Sequence, residues 1–363
     1  TEQVKKYRGF FEGISRYAQL AAFDPQIGKD LYTLLFKDFA PLLKAKDTLI
    51  IIPDEILGIL PFEVLVTEVP DTVETAAGKY GPYPQGVKYL GDAYPISYSQ
   101  SATAFTVART LKSPEKGKNE KLLVVADPVF DLADARLEGG RILVARRGEY
   151  QMGLMRAVEE YRGGKAGAKL TFSRLENTGH LLTQLQRAYG QGVDTLSGLA
   201  ASETELRQRA LQQYGSLIFA THGILDNQVP YIQEPALVLS QVGVNSTERE
   251  QDGFLTMSEV MGLKLNAEVA ALTACNTGVG KNLTGEGVMG MGRAFQYAGA
   301  KTVLMSLWSV EEESTTLLTE KFFTYVHEGK GKLDALRQAR ADVRKAGYEH
   351  PFFWAPFIVV GER

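Results

Sequence analysis

Two spacings of apolar residues alternate along the chain. Over 4–43 they follow a helical step. Phe10, Phe11, Ile14 and Tyr17 recur every three or four positions, and a second amphipathic stretch runs from Lys29 to Leu43. The period then changes. Thr48 to Ile52 is a short continuous apolar run closed by Pro53 and Asp54, which predicts a strand buried on both faces. Pro61 to Val66 continues apolar, Tyr94 to Ser99 predicts another strand, and Leu122 to Ala126 predicts a third, ended by Asp127 and Pro128. From about Asp131 to Lys169 the pattern breaks. Gly139, Gly140, Gly163, Gly164 and Gly167 sit among Arg141, Arg146, Arg147, Arg162 and Lys165, the composition of a surface insertion with one helix near Leu154–Tyr161.

The alternation then resumes. Helices are predicted over 180–189 and 202–213, the second with Ser202 as N-cap and Glu205 three residues on. Strands follow at Ser216 to Ala220, Ala236 to Leu239 and Glu268 to Thr273. After them come a helix over Gly287 to Gly299, a strand over Thr302 to Leu307, helices over Ser314 to Glu328 and Leu333 to Lys345, and a strand over Phe357 to Val360. Short β-branched runs between longer helices predict an α/β fold with a mostly parallel sheet covered on both sides. At ~150 residues per domain, 363 residues suggest about two domains. The expected division is 1–45, an N-terminal helical segment; 46–200, an α/β half carrying the inserted loop 131–169; and 201–363, a second α/β half. Both halves open on a buried strand, without a strict internal repeat.

Composition narrows the functions. Hydrophobic residues make up 44% and charged residues 23%, as in an ordinary globular protein. Forty Lys and Arg against forty-three Asp and Glu leave a net charge of -3, so no basic excess is available to grip a phosphate backbone, and no direct nucleic-acid binding is expected. A lone cysteine, Cys275, excludes an intrachain disulfide. No apolar run reaches the ~18 residues of a membrane span, and Thr1 to Gln19 is too charged for a signal peptide. The expected location is cytoplasmic, without membrane contact. A start at Thr1 rather than Met reads as a fragment of something larger.

Reactive groups in such sheets collect where strands end. Two ends stand out: Leu217-Ile218-Phe219-Ala220-Thr221-His222-Gly223 and Ala270-Ala271-Leu272-Thr273-Ala274-Cys275-Asn276-Thr277-Gly278. Each runs from a buried strand into a reactive or titratable residue and then a glycine. A thiol of pKa about 8.5 is only a few per cent thiolate at neutral pH, and it gains from an imidazole or a helix N-terminus beside it. His222, titrating near neutrality, can pass a proton to a leaving amine, and the backbone N–H groups of Gly223 and Cys275 can hold an oxyanion. The plainer alternative is an inert core cysteine and a satisfied loop histidine, and spacing alone leaves both open.

Several blocks, in order, carry a resemblance. They are Ile50-Ile51-Ile52-Pro53-Asp54, Leu60-Pro61-Phe62-Glu63, Tyr94-Pro95-Ile96-Ser97-Tyr98 with Ser101, and the two strand ends above. Then come Gly285-Glu286-Gly287, Arg293-Ala294-Phe295, Tyr297-Ala298-Gly299-Ala300, Ser306-Leu307-Trp308-Ser309-Val310 and His350-Pro351-Phe352-Phe353-Trp354-Ala355-Pro356-Phe357. Over Thr48 to Gly361 the chain resembles the CHAT-domain cysteine peptidases of the caspase- and separase-like clan. The resemblance implies a caspase-like three-layer α/β/α sandwich, with a pseudo-protease half over 46–200 and an active half over 201–363. It matches His222 and Cys275 to the catalytic dyad. It also implies regulation by attached repeat domains, commonly tetratricopeptide repeats. Two departures are the insertion before Arg174 and the turn Glu176-Asn177-Thr178-Gly179-His180, where the family usually shows a more basic sequence.

The function expected is a cysteine endopeptidase acting on protein substrates, gated by a regulatory protein or an upstream repeat domain, with no metal or organic cofactor. The alternative is a catalytically silent caspase-like interaction or scaffold module. Asp226, Asp252 and Glu286 lie in loops flanking the pair. An acid in the substrate pocket would select Arg or Lys before the scissile bond; otherwise each is a solvated loop acid or a cap. Arg146-Arg147 is then a candidate self-cleavage site. Gly285-Glu286-Gly287-Val288-Met289-Gly290 fits the dinucleotide spacing, but a polar loop from Asn276 to Thr284 separates it from the preceding strand, so helix packing is the better reading. No G-x-S-x-G elbow occurs, and the four histidines show no zinc-ligand spacing.

Overall fold

A computed structural model describes residues 1–71, 75–78, 80–110, 120–131, 133–137, 172–224, 232–243, 251–273, 286–309 and 311–362. The helix expected near Leu154–Tyr161 and the Arg146-Arg147 pair lie outside them.

Eight strands form one sheet: β1 (Leu49–Ile51), β2 (Ile96–Tyr98), β3 (Leu122–Pro128), β4 (Val193–Gly198), β5 (Ser216–Ala220), and, further along the chain, Val269–Leu272, Thr302–Ser306 and Phe357–Gly361. Three intervening strands, β6 (His222–Ile224), β7 (Ala236–Val238) and β8 (Phe254–Thr256), make a separate antiparallel sheet. The last three strands of the large sheet are therefore β9 (Val269–Leu272), β10 (Thr302–Ser306) and β11 (Phe357–Gly361). Its order is β1-β2-β11-β10-β9-β5-β3-β4, and every neighbouring pair is parallel except β10 with β11. The mostly parallel sheet expected from the apolar runs is present. Strands β1 and β2, from the first half of the chain, join it through β11 from the second.

Every residue of β3, β9 and β10 is buried, so both sheet faces are covered. The cover is helical. The N-terminal segment holds α1 (Glu2–Arg8) and α2 (Pro25–Phe36). The later helices are α3 (Glu176–Tyr189), α4 (Glu286–Tyr297), α5 (Glu312–His327) and α6 (Lys332–Lys345). Helix α5 packs on α3 and on α6, while α4 packs on the short helix Met257–Gly262. One apolar core runs from Val4 in α1 to Val360 in β11.

Several elements differ from the pattern-based expectation for physical reasons. The helical run over 4–43 is broken into pieces: Gly13 takes φ +68, and Pro25 opens α2 with Asp24 capping it through Gln26 N–H at 2.9 Å. The helix expected over 202–213 is two short pieces, Glu203–Arg207 and a 3-10 turn at Leu211–Gln213, although Ser202 does cap it, accepting from Glu205 N–H at 3.3 Å. Strand β4 escapes the apolar-run test because it is the sheet's edge, where Asp194, Thr195 and Ser197 are tolerated. Ala236 to Val238 is a strand, but in the small sheet.

Two buried cations tie early parts of the chain to late ones. Arg8, 2% exposed, donates to the carbonyls of Ile59 and Leu307 and pairs with Glu12 at 2.7 Å, while Phe11 stacks on Trp308 at 5.2 Å. Arg340 on α6 pairs with the fully buried Glu63 at 2.9 Å, and Glu63 also accepts from the Tyr98 hydroxyl at 2.6 Å. Among the described residues no helix is long and apolar enough to cross a membrane.

Candidate active site

Adjacent parallel strands β5 and β9 carry the two sequences singled out above. Their register sets Leu272 opposite Phe219, and Thr273 N–H extends the ladder to the Phe219 carbonyl at 3.1 Å. Beyond Ala220 the chain leaves the large sheet. The Thr221 hydroxyl donates to the Val238 carbonyl, and β6 begins at His222, paired with Val238, which is paired in turn with Phe254. The change of sheet holds His222 at the carboxyl edge on regular backbone rather than on a free loop.

His222 is 2% exposed. Its ring lies against Phe130 and Phe172, with centroids at 5.1 and 5.7 Å. Nε2 is 2.7 Å from the Ser173 carbonyl oxygen. A carbonyl only accepts, so Nε2 carries the proton and Nδ1 presents a lone pair. Nδ1 is buried and has no hydrogen-bond partner among the described residues. Burial removes water from the charged form and lowers the pKa to about 4, against the opposing pull of the Ser173 carbonyl. The imidazole is therefore neutral at pH 7 in the resting protein, rather than titrating near neutrality as expected from its type.

Gly223 is buried in β6 opposite Leu237. Asp252 sits two residues before Phe254 and accepts its N–H at 2.9 Å, closing the turn into β8; the adjacent Gly253 N–H is held at 2.6 Å by the buried Glu203. Glu286 opens α4. Cys275, Asp226 and the side chain of Glu286 lie outside the described residues.

One acid at this edge was not singled out by sequence reasoning. A small cavity of about 20 Å³, room for roughly one water, is bordered by Ala220 and Thr273, near the start of the two singled-out segments, and by Leu175, Thr178, Glu312 and Thr315. Glu312 begins α5 and accepts Asn177 N–H at 2.6 Å. Burial raises its carboxyl to about 7, opposed by the Asn177 amide and reinforced by the charges of Glu311, Glu176 and Asp127. Among the described residues no Lys or Arg pairs with it. Thr315, 7% exposed, turns an unpartnered hydroxyl to the same region. The signal was in the sequence: Glu311-Glu312-Glu313 comes shortly after a buried strand that ends at Ser306. Glu311 is the N-cap of α5, accepting Ser314 N–H at 2.6 Å, which leaves Glu312 to face the cavity.

The fold and the order of blocks define a class. The chain belongs to the CHAT domain family, whose model matches residues 25–362. Among curated proteins it is similar to tetratricopeptide repeat protein 28 of Homo sapiens, 31% identical over 112 residues, or 31% of this chain and 4% of that protein. The Mus musculus protein of the same name is 28% identical over 109 residues, 30% of this chain and again 4% of the relative. The matched segment is thus a small part of the length of either relative. Among solved structures, two of the Saccharomyces cerevisiae separase-securin complex align over 76% of this chain and 14% of that chain at 13% identity, with TM-scores of 0.41 and 0.37.

Proposed function

We propose that this chain is a cysteine endopeptidase whose nucleophile is Cys275 and whose general base and acid is His222. The strand register carries the reading. Strands β5 and β9 are adjacent and parallel, so the segments that carry His222 and Cys275 leave the sheet at the same edge. The neutral His222, protonated on Nε2 and bare on Nδ1, supports the chemistry. In it, Nδ1 takes the thiol proton and the thiolate attacks the scissile carbonyl, with the amides of Gly223 and Cys275 holding the oxyanion. The imidazolium then protonates the leaving amine, and water, deprotonated by the same nitrogen, releases the acid product. No metal or organic cofactor enters. Segment 201–363 supplies both dyad members and acts as the catalytic half, while 46–200 contributes the Ser173 carbonyl.

Substrate preference is assigned to Glu312, ahead of Asp226, Asp252 and Glu286. Its carboxyl borders a water-sized cavity at the two strand ends, no cation among the described residues neutralises it, and a Lys or Arg head whose binding widens that cavity would hold it ionised. Residues N-terminal to the bond are thus read as basic. The tetratricopeptide name of the relatives supports a repeat domain as regulatory partner.

One observation favours a second reading, a silent interaction module: His222 is almost fully enclosed by aromatic rings. Labelling separates the two. An acyloxymethyl-ketone probe ending in arginine should modify Cys275 in the wild type and do so at least tenfold more slowly in His222→Ala. Equal labelling of both, at the rate of an ordinary thiol, would leave the module as the answer.

A further inference from the structure

We propose that Asp127 and Arg174 form a clamp that positions His222, fixing which imidazole nitrogen carries the proton. The inference rests on the peptidase reading for its consequence, and on geometry alone for its mechanism. Phe172 to Leu175 belongs to no helix or strand. Its placement therefore depends on side chains. Phe172 packs on the His222 ring, and the Ser173 carbonyl accepts from Nε2. The next residue, Arg174, anchors the segment: its Nε meets Asp127 Oδ1 at 3.0 Å and its Nη2 meets Oδ2 at 2.8 Å, a planar two-bond fork.

The anchor itself is held from three sides. Asp127 lies near the carboxyl end of β3, 6% exposed, at φ +48, a left-handed conformation uncommon for a residue with a side chain. Its N–H donates to Thr178 Oγ1 at 3.0 Å. Arg136 reaches Asp127 Oδ2 at 2.9 Å and the Asp127 carbonyl at 2.8 Å, and is itself oriented by Asp134. A strand end of the rigid sheet thus grips one residue of an irregular segment, and the neighbouring carbonyl sets the imidazole. Without the fork the segment keeps its Phe172 packing and the Thr178 bonds to the Leu175 carbonyl, but loses the charged tether that joins Arg174 to β3. Nε2–H then loses its fixed acceptor, and both neutral tautomers become accessible.

The test reads the tautomer directly, in the full chain labelled with nitrogen-15 histidine, with the His222 signals assigned from a His222→Gln variant. The wild type should show a single tautomer protonated on Nε2. Arg174→Gln, chosen because its amide N–H can stand in for Nε while the Nη2 bond and the charge are lost, should show a mixture and slow probe labelling of Cys275 about tenfold. Arg174→Lys should fall between. Arg174→Ala is the harsher second variant, with melting curves confirming the fold. An unchanged single tautomer in folded Arg174→Gln and Arg174→Ala overturns the clamp, even if both are less stable. If His222→Gln leaves Cys275 labelling unchanged, the peptidase reading fails, while the tautomer measurement still decides the clamp.

Discussion

Replacing Glu312 with Gln should make the protein more stable at alkaline pH and less able to accept a basic side chain. The carboxyl rises from 4.5 to about 7 because the fold strips water from its charged form. At about 1.36 kcal/mol per pH unit, holding that charge in the fold costs on the order of 3 kcal/mol above neutrality. The folded value lies above the unfolded one, so the contribution of this group is complete below pH about 4.5 and is lost as the pH rises through about 7. Glutamine keeps the shape and can still accept from Asn177 N–H, but it has no charge to desolvate. Urea unfolding should therefore find Glu312→Gln more stable than wild type by about 2–3 kcal/mol at pH about 8 and nearly equal at pH about 4.5. Cleavage after Lys or Arg should fall by one to two orders of magnitude, the worth of a charge-assisted hydrogen bond. A destabilised variant at pH about 8, or a gain that does not vary with pH, would refute the argument that this acid is held charged at a cost. Stability gained as activity is lost is the mark of a functional rather than an architectural acid.

The acid limb should report His222. Its folded pKa of about 4 lies below the ordinary 6.5, so its contribution is complete above pH about 6.5 and is lost as the pH falls through about 4, a change of about 3 kcal/mol. His222→Phe should make the slope over that window shallower, with the remainder coming from His350, which burial lowers to about 3, and an unaltered slope would contradict the burial argument. Arg340→Ala removes the cation paired with Glu63, which is 0% exposed, and should lose about 3–5 kcal/mol in urea unfolding, whereas Arg340→Met with Glu63→Gln should regain most of it. Gly299 sits at φ +117, where a Cβ would lie 2.3 Å from the Leu265 carbonyl oxygen; Gly299→Ala should lower stability by roughly 2 kcal/mol or more, and a neutral melting temperature would count against that turn.

Local chemistry made much of this protein legible from its residues. Continuous apolar runs such as Leu122 to Ala126 and Thr302 to Ser306 are strands because a sheet covered on both faces needs no alternation, and the Ser202 cap follows from one hydroxyl and one free amide. His222 could be singled out because glycine and buried strand residues flank it. What the chain could not disclose by itself depends on groups far apart in sequence. The order of the sheet, with β2 beside β11, is such a case. So is the low pKa of His222, which needs Phe130 and Phe172 brought around it to exclude water, against the opposing pull of the Ser173 carbonyl. The role of Glu312 is another, since three adjacent glutamates look alike until helix α5 takes Glu311 as its cap and presents Glu312 to the cavity. Spacing along a chain records periodicity and turn chemistry; desolvation and charge pairing are set by neighbours in space, and only folding chooses those.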